Sequence, residues 1–160
     1  MVNILIVAVL GLADWSPHKL GCKIDWQTNT SFNGVIVKSE KPLSKQNILY
    51  VEEHLSKANR QFVKYVRKQC PTLKDLEIRI ISSQQLNSRS CFPYRQDNEE
   101  YYGEYYRSPN VMYITPKIFD NDRVLIHEYF HYMYDECKVF IQEEEEEHRQ
   151  IKILLDNRDK

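Results

Sequence analysis

The stretch Val124-Leu-Ile-His-Glu-Tyr-Phe-His-Tyr-Met133 sets His127, Glu128 and His131 in the spacing H-E-x-x-H. On a helix, residues four apart lie one above the other, so both imidazoles can turn to a single ion. Zinc takes neutral imidazole nitrogen at about 2.0–2.1 Å. A glutamate beside the first histidine reaches the same side of the metal, where it can take a proton from water. The pattern is that of metal-assisted hydrolysis. No charge interrupts residues 124–126, 129–130 or 132–133, as expected of a helix packed on every side except the one bearing the ligands. The plain alternative is an amphipathic helix whose two histidines are merely hydrogen-bonded.

Working outward, Asp120, Asn121 and Asp122 offer an N-cap and negative charge to the start of this helix, which is expected over about 121–136. Before it, residues 103–115 read as a hairpin. Glu104-Tyr105-Tyr106 and Val111-Met112-Tyr113-Ile114 flank a turn at Arg107-Ser108-Pro109-Asn110, where Pro fixes φ and Asn tolerates a left-handed conformation. Leu76, Ile78 and Ile80 alternate with Glu77 and Arg79, the period of a strand with one face on a core. Ile48, Val51, Leu55, Ala58, Phe62, Tyr65 and Val66 fall mostly three or four apart, predicting a long helix over 44–69 capped by Ser44 and stopped near Pro71. Gly34-Val35-Ile36-Val37 is the one clear strand before it. Residues 82–100 are polar and irregular, either pinned through Cys91 or functional. After the metal helix, Glu143–Glu147, His148, Ile151, Leu154 and Leu155 predict a second, C-terminal helix.

With 42% hydrophobic and 28% charged residues, the composition is that of one soluble globular domain. A formal charge of −1 and no basic run argue against a nucleic-acid partner. Residues 1–13 form an apolar run ending in small residues. It is too short to span a bilayer and is suited to a secretory signal, with the domain proper over 14–160. The rival is a buried opening strand. Cys22, Cys70, Cys91 and Cys137 form an even set without a C-x-x-C pair, which fits two disulfides in a secreted or periplasmic protein, or buried thiols in a cytoplasmic one.

The order of elements, a long helix, a small sheet ending in a hairpin, the H-E-x-x-H helix and a glutamate-bearing helix, resembles the zincin metallopeptidases, and within them the gluzincins. The resemblance implies an α+β fold with a mixed sheet over two helices, a zinc site in the cleft between them, and hydrolysis of peptide bonds in a peptide or protein substrate. Glu128 would be the general base. It also implies that the edge strand Gly103, Glu104, Tyr105 and Tyr106 pairs with extended substrate. The metzincin continuation fails at Tyr134 and Cys137, where that branch has glycine and histidine. A gluzincin takes its third ligand from a glutamate on the following helix. The return path after Cys137 favours Glu147, which shares a face with Glu144 and Ile151. Glu144, with His148 four residues on to support it, is the alternative, and Asp135, Cys137 and His148 follow if neither serves. A tyrosine or His148 would stabilise the oxyanion. The competing function is a zincin-like domain that binds zinc or a partner without hydrolysis.

Overall fold

The computed structural model describes residues 20–66, 70, 75–95, 100–107, 109–139, 141 and 144–158. The expected signal segment, 1–13, lies outside them. Among the described residues the fold is α+β, with a five-stranded mixed sheet in the order β1-β2-β3-β5-β4 and four α-helices. Strands β1 (Thr28–Phe32) and β2 (Val35–Ser39) form a hairpin, and α1 (Lys45–Val66) crosses to β3 (Leu76–Ile80), which runs parallel to β2. After the one-turn helix α2 (Ser83–Leu86) the chain forms the second hairpin, β4 (Gly103–Tyr106) and β5 (Val111–Ile114). Here β5 is parallel to β3 and β4 is the antiparallel edge. Helices α3 (Arg123–Glu136) and α4 (Glu144–Asp156) close the fold.

Strand β1 has no apolar alternation, and its residues are half-buried and exposed in turn, so hydrophobic period misses it. The signal it does carry is Asn33-Gly34. Both residues hold positive φ, 46° and 78°, in a two-residue loop that pairs Phe32 with Val35, and Asn-Gly is the dipeptide such hairpins favour. Helix α1 starts where expected, with Ser44 Oγ accepting from the Asn47 N–H at 3.1 Å. Helix α3 starts at Arg123, whose N–H donates to the Asn121 side chain.

Alternation in β3 and β5 divides the interior. Leu76, Ile78, Ile80, Met112 and Ile114 meet Val51, Leu55, Phe62, Leu125, Phe130 and Leu154 of the helices in the main core. Ile81, Val111 and Tyr113 look the other way and are covered by Leu86, Phe92 and the chain around Trp26. That far-side cover is pinned by a Cys22–Cys91 disulfide, while Cys70–Cys137 ties the end of α3 to the chain just past α1. The described part of the irregular segment, residues 82–95, is thus tied down through Cys91, one of the two readings of 82–100. No helix among the described residues is long and apolar enough to cross a membrane.

Candidate metal centre

Helix α3 lies across both α4 and β4, and three histidines meet where they converge. His127 and His131, one turn apart on α3, bring their Nε2 atoms to 3.2 Å. Two nitrogens bound to one tetrahedral ion at about 2.05 Å stand roughly 3.3 Å apart, so the pair is already spaced to share a metal. His148 of α4 completes the set. Ligand atoms of His127, His131 and His148 all lie within 4.8 Å of one another. This is the one such group among the described residues.

The glutamate expected as third ligand has another place. Glu147 is 5% exposed, and its Oε1 lies 2.5 Å from His131 Nδ1, on the side of the ring away from His127. Adjacent residues of α4 therefore straddle His131: His148 joins the nitrogens, and Glu147 backs the ring. A carboxylate at Nδ1 fixes that nitrogen as the proton-bearing one and leaves Nε2 free to ligate. The return path after Cys137 predicts Glu147 facing the histidine nitrogens; a helix advances 100° per residue, and in the structure the neighbouring His148 lies there while Glu147 lies at His131 Nδ1. Glu144 is exposed at the mouth of the cleft, outside the histidine group. Asp135 and Cys137 are committed elsewhere, to Arg107 and to the disulfide.

Burial sets the protonation of the site. The imidazoles of His127 and His131 are pushed down to about 4, first by burial and then by the neighbouring imidazoles, with the Arg107 guanidinium adding to the effect at His131. Both are therefore neutral, as metal ligation requires. Burial, reinforced by the negative charge of Glu104, pushes the Glu128 carboxyl up to about 8, against a lowering hydrogen bond from the Tyr105 N–H. Burial also raises Glu147, opposed by Arg107. A dication beside Glu128 would draw it back toward the carboxylate.

Strand β4 approaches α3 closely enough to require glycine. A Cβ on Gly103 would stand 2.6 Å from Val124 Cγ1 and 2.9 Å from Glu128 Cγ. Along the strand, Tyr102 O accepts from the Thr115 N–H, directly opposite in the register. Even-numbered residues therefore bond to β5, and Gly103 and Tyr105 turn their backbone groups to the outer edge. The Tyr105 N–H reaches Glu128 there. Tyr105 packs edge-on against Tyr132, and Tyr106 against Tyr113 on the opposite face of the sheet. These tyrosines are chiefly sheet packing.

Two cavities, of about 560 and 630 Å³, meet over His127, Glu128, His148, Tyr101 and Gly103. The first extends over Val124, Leu155, Arg123 and Lys152, the second over Tyr105, Glu104, His131 and Glu144. A groove bordered by β4 thus passes directly over the histidine group and Glu128. No family model, curated protein or solved structure matches this chain.

Proposed function

We propose that this chain is a zinc-dependent metallopeptidase with a zincin-like arrangement, in which His127, His131 and His148 hold the metal and Glu128 is the general base. The observation that carries this reading is the convergence of three imidazoles beside the half-buried Glu128 carboxyl at the junction of an open groove. Three imidazole ligands leave a fourth tetrahedral position open, as a catalytic zinc site does and a structural one does not. Zinc bound there would acidify water and polarise a carbonyl.

The remaining steps belong to the chain. The outward-facing backbone groups of Gly103 and the Tyr105 carbonyl pair with an extended peptide and lay its scissile bond over the histidines. Glu128, held by the Tyr105 N–H, takes the proton of the attacking water and passes it to the leaving amine. Glu147 keeps His131 in the ligating tautomer. Two disulfides fit an oxidising compartment and hence a secreted or periplasmic site of action.

The test is turnover of an unstructured protein substrate by zinc-loaded protein and by Glu128→Gln. The amide keeps the shape and cannot take the proton, so hydrolysis should fall by about 10²–10⁴ with one zinc per chain retained. Stoichiometric zinc with no turnover by the parent protein would favour the non-hydrolytic zinc-binding domain. Absence of zinc from both proteins would end the reading.

A further inference from the structure

Arg107 sits in the β4–β5 turn, on neither helix of the histidine group, and its side chain is 66% exposed. Its guanidinium nevertheless makes two ion pairs that cross the fold. Nε lies 3.1 Å from Asp135 Oδ1 on α3, and Nη2 donates to Glu147 Oε2 on α4 at 3.2 Å. Asp135 is four residues beyond His131, hence on the same face of α3. The other oxygen of Glu147 is the one at His131 Nδ1. One guanidinium therefore touches both helices that bear the histidines, and a single carboxylate joins it to one of the imidazoles.

We infer that Arg107 is a positioning residue of the metal centre, clamping α3 to α4 and turning the Glu147 carboxylate so that it backs His131; the inference rests on the metal reading above. The planar fork of arginine matters. It presents Nε and Nη2 in fixed relation, so it can engage two carboxylates on different elements at once, whereas an ammonium offers a single point of charge. Without the clamp, Glu147 is free to rotate away from Nδ1, and the imidazole loses the partner that sets its tautomer and ring angle. Outer-shell partners of this kind typically change metal affinity by about 10–100-fold. Because Arg107 directly follows β4, the same clamp also holds the substrate-pairing strand in register with the metal helices.

The experiment is zinc affinity by chelator competition, together with the visible spectrum of the cobalt-substituted protein, for the parent chain and for Arg107→Gln, Arg107→Lys, Glu147→Gln and the double variant Arg107→Gln/Glu147→Gln. Thermal unfolding of the metal-free proteins checks that each is folded. The expected result is a 10–100-fold loss for Arg107→Gln with an altered cobalt spectrum, and a partial recovery for Arg107→Lys. The double variant should be no weaker than Glu147→Gln alone, because Arg107 acts through Glu147. Parent-like affinity in Arg107→Gln, or losses that simply add in the double variant, would overturn the inference while leaving the metal reading intact. A parent chain that binds no zinc would bring both down.

Discussion

The two faces of the sheet bury charge in opposite ways. On the helix side, burial drives Glu128, His127 and His131 toward their neutral forms, and outweighs the nearby glutamates that oppose it at the two histidines. On the far side, Glu77 is met by Lys38 and Arg79, and Arg79 also lies over the Trp26 and Tyr113 rings. Arg95, 2% exposed, is packed on Phe92, Tyr94 and Tyr101 and paired with Glu104. Strand β3 supplies both environments by alternation, with Leu76, Ile78 and Ile80 toward the helices and Glu77 and Arg79 away. The Glu77 charge is satisfied by its partners and holds structure together, whereas burial raises the Glu104 carboxyl even beside Arg95. Groups kept neutral by burial at the edge of a cavity remain available to a metal or a substrate, which is why perturbed residues in a cleft point to chemistry.

The largest expected effect lies on the helix side. His148→Ala removes one of three nitrogens and should weaken zinc binding by 100-fold or more, whereas Glu144→Ala should stay near the parent value. Equilibrium dialysis of both variants decides it. Parent-like zinc in His148→Ala would return the third ligand to the glutamates and break the contrast between histidines that ligate and carboxylates that support.

The disulfides sharpen the comparison, because they span almost the same sequence separation, 69 and 67 residues. Chain entropy therefore predicts nearly equal stabilisation from each, about 4 kcal/mol. Cys22→Ala/Cys91→Ala should cost that much in urea unfolding of the metal-free protein and leave zinc affinity unchanged, since it loosens only the far-side cover. Cys70→Ala/Cys137→Ala should cost a similar amount and also weaken zinc, because Cys137 caps the helix that carries His127 and His131. Equal effects on zinc from both pairs would show that the two faces are not mechanically separate.

How much of this was legible in the chain follows the range of each interaction. His127, Glu128 and His131 stand out because one helical turn brings them together, and α1, β3, the β4–β5 hairpin and α3 follow from local period and turn chemistry. Strand β1 is missed by hydrophobic period because an edge strand with a polar outer face has none, although Asn33-Gly34 marks its turn. The role of His148 depends on the rotation of α4 against α3, which the spacing of glutamates does not contain. Arg107 meets Asp135 and Glu147 at separations of 28 and 40 residues (135 − 107 and 147 − 107), and nothing local to residue 107 announces them. The cysteine pairing is likewise a property of the fold.

A smaller effect is expected at Gly103. Its Cβ would stand 2.6 Å from Val124 Cγ1 and 2.9 Å from Glu128 Cγ, so Gly103→Ala must push β4 off the helix or displace the base. Hydrolysis should fall about 10–100-fold, as expected when a reacting group is moved by about an ångström. Zinc content should be unchanged, because no histidine is touched. Parallel assays of turnover and metal content separate this from a general loosening, which would lower both.

The smallest effect belongs to the far side. Burial pushes the Glu77 carboxyl up, but hydrogen bonds and charge from Arg79 and Lys38 outweigh it, and the group is held below the usual glutamate value of 4.5. A carboxyl with a lowered folded pKa stabilises the fold where it is ionised in both states, that is, above its unfolded pKa. The contribution is lost as the pH falls through the folded value. The Glu77 side chain retains 19% exposure, so water screens the pairs and the expected contribution is about 1 kcal/mol or less. Glu77→Gln should therefore be slightly less stable than the parent at pH 7, with the gap closing as the pH is lowered below 4.5. Urea unfolding of both proteins across that interval measures it. A gap that persisted unchanged at low pH would mean that Glu77 acts through shape and neutral hydrogen bonds, and that the far face is held by packing rather than by paired charge.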